Sequence, residues 1–395
     1  MLRGSLSSSL SFPARLLLLL AWLVAGGLTT WLARRRPAGW AHAAVALPLA
    51  AFNQVAAASF FDGDAELISN CAHFITACIT SMKLLAWAMD RGSLTHPLTL
   101  PQWLAVYALP LIPAAEESGP PPGPAQKHAK EEQQEEPEDS QAKRKGRRPP
   151  APTVPARSAF TYFRIFVRKL VALGATVWTF HRFAADLPRP LLLFLEGFSQ
   201  YLGLSLGADA MAAAVTSTTG LAIAPPFDNP YASISLADFW NRRWNRTVSA
   251  VLRAAVYDVI MDGRFVRRPG AALPFSRNRR LAAVLAVFFC SGVMHELLFW
   301  NFSGRFSPRL IWLLYFTLWG VLVVGENIGK RLLRSAGLSV PTPLARLLTL
   351  VTIQVMGAYL WWPPMEQLGL PEKATAHTVQ TWRVLQKAVL AMHTS

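Results

Sequence analysis

Apolar runs long enough to cross a lipid bilayer recur along this chain. A helix needs about 20 apolar residues to span a hydrocarbon core about 30 Å thick, because each residue adds about 1.5 Å. Runs of this length or slightly shorter lie near 16–33, 40–60, 66–89, 97–113, 190–217, 281–302, 309–328 and 341–362. A ninth run, near 164–180, carries Arg164, Arg168 and Lys169 in its first turns. The pattern predicts an all-α, polytopic membrane protein with about eight or nine transmembrane helices.

Composition and charge favour the same class of protein. Hydrophobic residues make up 52% of the chain and charged residues 16%, against about 25% charged in soluble domains. The net charge of +16 comes from basic clusters at the ends of the runs and in loops. This distribution is typical of cytoplasmic loops near anionic lipid head groups, and we expect no nucleic-acid partner. The three cysteines, Cys71, Cys78 and Cys290, all lie in apolar runs, so we expect neither a disulfide framework nor a metal site.

One polar segment divides the chain. Residues 114–158 are rich in Pro, Glu, Lys and Gln and have almost no large apolar side chain. Such a segment cannot bury enough apolar surface to fold, and we expect a disordered loop. The predicted organisation is therefore N-terminal transmembrane helices (1–113), this loop (114–158), a larger C-terminal transmembrane region (159–364) and a polar tail (365–395).

His295 lies inside an apolar run, where an ionisable side chain is costly. It is roughly 20 Å along a helix that starts at Leu281, deep in the hydrocarbon. An intramembrane ionisable residue indicates a functional site that faces a protein-lined cavity. The alternative is a histidine that only hydrogen-bonds a neighbouring helix. Glu296, the next residue, is rotated about 100° around the helix and is not expected to orient His295.

A second polar group of residues lies between the runs, in 225–261. Aromatic and basic residues alternate there with helical spacing from Asp238 onward, and Ser235 stands where a helix N-cap is expected. An interfacial amphipathic helix anchored by Trp and Arg explains most of these residues. It does not explain Asn245, which places a polar amide where an aromatic or leucine would anchor better.

These two segments resemble the membrane-bound O-acyltransferase superfamily, and more closely its plant wax synthase branch. In that branch a segment P-x-F-x-x-P-Y, followed by S-L-x-D-F-W-G-R-R-W-N, precedes the sequence S-G-L-M-H-E-L. The residues that match are Pro225, Phe227, Pro230, Tyr231, Ser235, Leu236, Asp238 to Asn245 and Ser291 to Leu297, with Asn241 in place of the family's glycine. The resemblance is strongest over about 225–300.

The resemblance implies a fold, an activity and a site. It implies an acyl-CoA-dependent enzyme that esterifies a long-chain fatty alcohol to a wax ester, with His295 as general base and Asn245 as the second polar residue of the site. Acyl-CoA, a co-substrate, would approach from the basic cytoplasmic side, and the lipid alcohol from the bilayer. The expected substrate-binding residues are Asp238, Trp240, Arg242, Arg243, Trp244 and Arg246. We expect no redox cofactor or metal, and residence in the endoplasmic reticulum membrane.

Three alternatives remain open at this point. The first is a sterol acceptor, which the same sequence pattern permits. The second is a transporter in which His295 relays protons, with Lys83, Glu196 and Glu326 as further intramembrane charges. The third is a non-catalytic relative that only binds lipid. The sequence does not indicate the acyl-chain length or the oligomeric state.

Overall fold

The computed structural model describes residues 11–60, 72, 74–114, 157–267, 273–274 and 276–369. Within these ranges the chain is helical, and its only extended pairing is an isolated antiparallel bridge between Pro113 and Ile223. The all-α prediction is therefore confirmed. The predicted loop (114–158) and polar tail (365–395) lie almost entirely outside the described residues.

Thirteen α-helices are present in the part of the chain that the structure describes. They are α1 (Phe12–Ala33), α2 (Trp40–Phe60), α3 (Ser81–Ala88), α4 (Leu100–Ala108), α5 (Ala159–Phe183), α6 (Arg189–Thr219), α7 (Leu236–Asp238), α8 (Arg246–Leu252), α9 (Asp258–Asp262), α10 (Arg277–Ser303), α11 (Ile311–Ser335), α12 (Thr342–Met356) and α13 (Trp362–Gln367). Four π-helical segments extend or join these helices, at Phe74–Thr80, Phe239–Arg243, Arg253–Tyr257 and Gly357–Trp361.

Among the described residues, five helical stretches are long and apolar enough to cross a membrane. They are Pro13–Ala33, Arg189–Thr219, Arg277–Asn301, Pro308–Ser335 and Thr342–Gln367. Large apolar side chains on their outer faces are exposed, as with Leu17 and Leu32 of α1 and Leu347 of α12. A surface of this kind is suited to lipid rather than water. The chain is therefore a multi-pass membrane protein, although the predicted count of eight or nine spans is not confirmed.

The predicted span at 97–113 is wrong. Helix α4 contains only nine residues and ends at Ala108, so it is far too short to cross the hydrocarbon core. Leu109, which precedes Pro110, is extended, as expected for a residue before proline. The chain then pairs with the segment after α6, because Ala114 donates its N–H to the carbonyl of Ala222 at 2.8 Å.

The charged run near 164–180 forms part of a continuous helix, although that helix is not among the five apolar stretches. Helix α5 begins where the Ser158 side chain accepts the N–H of Thr161 and packs along α6. Lys169 forms a hydrogen-bonded ion pair with Asp209 of α6, whose side chain is fully buried. One of the three cations that weaken the apolar pattern, Lys169, therefore serves a contact with the neighbouring helix, whereas Arg164 and Arg168 are exposed.

Lys83 joins the N-terminal helices through the backbone. Its side chain is only 2% exposed, and its ammonium group donates to the carbonyl oxygens of Val106, Leu109 and Leu111, the last at 3.1 Å. These carbonyls lie where α4 ends and lack helical partners there, so the lysine satisfies those of Val106 and Leu111 and shares the Leu109 carbonyl with the N–H of Leu111. A buried charge with three acceptors is thus a structural tie between α3 and α4.

We predict that Lys83→Met destabilises the protein. Methionine keeps the length of the side chain but removes the three donors, and carbonyl groups left unpaired in an apolar interior cost about 1–3 kcal/mol. The melting temperature of the detergent-purified protein should therefore fall by several degrees. Arg182→Met, at the exposed end of α5, is the control. Equal melting temperatures for the two variants would contradict this account of Lys83.

Candidate active site

His295 lies in the C-terminal half of the membrane-spanning helix α10. Its Nδ1 is 2.7 Å from the carbonyl oxygen of Ser291, one turn earlier. A carbonyl oxygen can only accept, so Nδ1 carries the proton, and in the neutral ring Nε2 is left as the acceptor. The helix backbone therefore selects the tautomer in which Nε2 can take a proton.

Aromatic rings from three other segments surround the imidazole of His295. Phe316 of α11 stacks on it with ring centres 3.9 Å apart. Phe74 is 5.6 Å away, Trp361 5.7 Å and Trp312 6.4 Å. Trp312 also donates its indole N–H to the carbonyl oxygen of Trp361 at 3.3 Å, which joins two of the rings. We call these four rings the aromatic cage. It fixes the plane of the imidazole and makes its surroundings apolar.

Glu296 is engaged in a different contact, as its position around the helix predicts. One carboxylate oxygen accepts the N–H of Ser307 at 2.9 Å, and the other accepts the Ser307 hydroxyl and the N–H of Leu313, at 2.5 and 3.0 Å. The side chain is 4% exposed. Because these donors lie in the turn between α10 and α11 and in the first turn of α11, Glu296 fixes the position of α11, which carries Phe316 and Trp312.

The segment that follows Ser235 is a broken helix. Ser235 accepts the N–H of Asp238 at 2.9 Å, so the predicted N-cap is confirmed. The prediction of one helix from Asp238 onward is wrong, because the chain is extended at Trp244 and left-handed at Asn245, where φ is +33°. Asparagine tolerates this conformation better than most residues.

Asn245 begins the next helix, α8. Its side-chain oxygen accepts the N–H of Val248 at 3.3 Å, which leaves the two N–H groups of its amide available to another acceptor. Val248 and Leu252 of α8 pack in one cluster with Met294, the residue before His295. Asn245 therefore lies one turn before the contact between α8 and the histidine helix. Among the described residues, no direct hydrogen bond joins Asn245 to His295.

The two predicted tryptophans face the protein interior. Trp240 packs against Phe316, with ring centres 6.1 Å apart, and against Trp319 at 5.4 Å. Trp244 lies 6.5 Å from Trp240. Because Phe316 stacks on His295, a continuous series of rings leads from Trp244 to the histidine. The interpretation of these residues as interfacial anchors is therefore wrong for Trp240.

The predicted charged residues mostly hold the segment together. Arg243 donates to Asp238 at 2.8 Å and to the carbonyl oxygen of Asp228 at 3.3 Å. Arg246 donates to the carbonyl oxygen of Pro225 at 3.2 Å. Arg242 is exposed and of the three arginines is best placed to meet a solvent-borne anion.

The sequence did not reveal the cage. Phe316, Trp312 and Trp361 lie in apolar runs in which aromatic residues are ordinary, and Phe74 lies in a distant run. Neighbouring tryptophans at 361 and 362 were the only local sign, and they do not indicate which helix they contact.

Comparison with known proteins is consistent with this geometry. A model of the "Membrane bound O-acyl transferase family" matches residues 223–318, which include Asn245, His295 and Phe316. An acyl-CoA–sterol O-acyltransferase of Arabidopsis thaliana is 28% identical over 76% of each chain. The long-chain-alcohol O-fatty-acyltransferase of Simmondsia chinensis is 30% identical over 58% of this chain and 62% of its own. A probable long-chain-alcohol O-fatty-acyltransferase of A. thaliana is 34% identical over 52% and 58%. The last two matches thus span less than two thirds of those relatives.

The described helices define a multi-pass membrane protein in which His295 lies on one of the apolar helices long enough to span the membrane. Residues 223–318 thus carry the sequence pattern of the membrane bound O-acyl transferase family, and several of the relatives that the chain resembles are named as long-chain-alcohol O-fatty-acyltransferases.

We predict that Glu296→Gln lowers stability far more than the chemical rate. Glutamine keeps one acceptor oxygen but turns an N–H₂ group toward N–H and hydroxyl donors, at a cost of about 1–3 kcal/mol. The melting temperature should fall, while the initial rate of ester formation per folded molecule should stay within about threefold, because less than about 0.7 kcal/mol of barrier is affected. An unchanged melting temperature with a large loss of rate would place Glu296 in the chemistry instead.

Proposed function

We propose that the protein transfers an acyl group from acyl-CoA to the hydroxyl of a long-chain fatty alcohol and so forms a wax ester. The observation that carries the proposal is the orientation of His295, whose Nδ1–H donates to Ser291 while its Nε2 is left to accept a proton. The names of the relatives from S. chinensis and A. thaliana support the choice of substrate.

His295 acts as the general base. The alcohol hydroxyl donates to Nε2, its oxygen attacks the thioester carbonyl, and Nε2 takes the proton as the new C–O bond forms. When the tetrahedral intermediate collapses, the C–S bond breaks and the imidazolium returns the proton to the departing thiolate. The products are the ester and free coenzyme A, and His295 is neutral again. During the reaction the Ser291 carbonyl and the face of the Phe316 ring stabilise the imidazolium charge.

Asn245 supplies a hydrogen bond to the carbonyl oxygen of the thioester. Its own oxygen is held by the Val248 N–H, so the amide group is oriented before substrate binds. A donor that is already in place where negative charge develops lowers the barrier without reorganisation. Of the other predicted substrate-binding residues, Trp240 and Trp244 line the approach to His295, Arg242 faces the solvent, and Asp238, Arg243 and Arg246 maintain the shape of the segment.

The substrates explain the site's position in the membrane. A lipid alcohol and its ester both partition into hydrocarbon, so both can reach or leave the aromatic cage laterally from the bilayer. The C-terminal region (159–364) supplies His295 and Asn245, and the N-terminal region (1–113) contributes Phe74 to the cage. The proposal requires no cofactor beyond acyl-CoA as co-substrate, and we assign the protein to the endoplasmic reticulum membrane.

A sterol acceptor is the second candidate. It rests on the A. thaliana relative named as a sterol acyltransferase, whose match covers 76% of both chains. The transporter alternative is less well supported, because Lys83 binds three backbone carbonyls and Glu326 accepts the N–H groups of Leu236 and Ala237. The presence of both a base and an amide donor argues against a relative that only binds lipid.

The first test supplies labelled acyl-CoA with a long-chain alcohol, a sterol or a diacylglycerol to membranes that contain the protein. We expect ester from the alcohol, and we expect His295→Ala to reduce it by about 10²–10⁴-fold, the usual contribution of a general base. Cys290→Ala, which removes the nearby thiol, should retain activity. Ester formed only from the sterol would show that the acceptor is a sterol and not a fatty alcohol. An undiminished rate in His295→Ala would exclude His295 as the general base.

Asn245→Asp separates the two roles of Asn245. Aspartate is an equally good N-cap and retains the acceptor for Val248, but it has no N–H to offer the substrate. We predict an unchanged melting temperature and a rate reduced by about 10²–10³-fold, the typical loss when one oxyanion donor is removed. Full activity in Asn245→Asp would show that Asn245 only caps the helix.

A further inference from the structure

A cavity separate from the aromatic cage opens between α5 and α6. Its volume is about 340 Å³, and it is bounded by both helices, by Arg157 two residues before α5 and by the segment before α7. The lining residues that matter here are Arg157, Arg168, Lys169, Tyr201, Phe227 and Asp228. We call it the α5–α6 cavity.

The charges around the α5–α6 cavity sum to a net positive value. Lys169 lines the cavity and is paired with the buried Asp209, which fixes its position. Arg157 lies 3.7 Å from Asp228, which is too long for a good hydrogen bond. Arg168 is exposed and has no carboxylate within ion-pair distance in the described part of the chain. Among the described residues, three cations thus face two carboxylates, and Arg168 is the cation without a paired carboxylate.

Aromatic rings form the apolar side of the cavity. Tyr201 and Phe227 meet edge to face at 5.7 Å, and the Lys169 ammonium lies 5.6 Å from the Tyr201 ring centre. Guanidinium groups with free donors bind phosphate oxygens well, and adjacent rings accommodate an apolar or planar group. This combination suits an amphiphilic ligand that carries phosphate.

The segment before α7 forms one wall of the cavity and connects it to the surroundings of His295. Asp228 exchanges two hydrogen bonds with Arg243, from its own N–H to the Arg243 carbonyl at 2.9 Å and from the Arg243 side chain to its carbonyl at 3.3 Å. Trp244 lies 6.2 Å from Tyr201 and 5.6 Å from Phe227. The series of rings that starts at Trp244 ends at His295, so the cavity and the histidine lie at opposite ends of one aromatic path.

We propose that the α5–α6 cavity binds the phosphate group of an amphiphilic ligand. Two sources share this chemistry, namely the phosphates of the coenzyme A portion of the acyl donor and the head group of an anionic phospholipid. The first source rests on the acyl transfer proposed above, and the second does not. Arg168 is the residue through which either ligand is recognised, because Lys169 is already paired and Arg157 is partly so.

The test compares Arg168→Gln with Arg164→Gln, each made in the His295→Ala protein. Both changes remove one positive charge from the exposed side of α5, but Arg164 lies beside Phe160 and not in the cavity. The probes are free coenzyme A, and nanodiscs of phosphatidylcholine with or without phosphatidylserine. Because binding is measured without turnover, a failure of the cavity to bind phosphate is distinguishable from a failure of the proposed acyl transfer.

We expect Arg168→Gln, and not Arg164→Gln, to weaken binding of one probe by about tenfold, the effect of losing one hydrogen bond to a charged group. Weaker binding of coenzyme A assigns the cavity to the donor phosphates. Loss of the preference for phosphatidylserine, with coenzyme A binding unchanged, assigns it to a lipid head group. Equal binding of both probes by the two variants would overturn the proposal, and equal melting temperatures would confirm that both variants are folded.

Discussion

The hydrogen bond from His295 to the Ser291 carbonyl is the interaction on which the proposed chemistry depends. It is local to one helix, so it forms wherever α10 forms, and it determines which ring nitrogen accepts a proton. Many catalytic histidines are oriented by a carboxylate, but here the adjacent carboxylate of Glu296 is engaged with Ser307 and Leu313. A backbone carbonyl achieves the same orientation without placing a second charge in the membrane.

The other buried polar groups also have hydrogen-bond or ion-pair partners within the protein. Lys83 and Glu296 direct their hydrogen bonds to backbone or hydroxyl groups at helix ends, and Lys169 pairs with Asp209. Each of these contacts satisfies a buried polar group and joins two parts of the chain. His295 differs from them because, among the described residues, only its Nδ1 makes a hydrogen bond, and aromatic rings surround the imidazole. The contrast separates the structural polar residues from the proposed base more clearly than depth in the membrane does.

The sequence predicted the helical class, the N-cap at Ser235 and the orientation of Glu296 away from His295. These follow from the spacing of residues along a helix. It failed at 97–113, where apolar character suggested a span but Pro110 and the pairing of Ala114 with Ala222 end the helix early. It treated Asn245 as part of a continuous helix, although the left-handed turn at that residue starts a new one. The cage could not be predicted, since Phe74, Phe316 and Trp361 meet only through long-range packing. The cations of α5 are the one sign of the α5–α6 cavity in the sequence, and their spacing alone does not indicate a cavity.

The most direct test of the account is a cryo-electron microscopy structure of the purified protein with a long-chain alcohol and an acyl-CoA analogue that cannot transfer its acyl group. The account predicts the alcohol oxygen about 2.6–3.2 Å from Nε2 of His295, with Nδ1 still bound to the Ser291 carbonyl. An alcohol oxygen bound away from the imidazole, or a ring turned so that Nε2 faces Ser291, would contradict it.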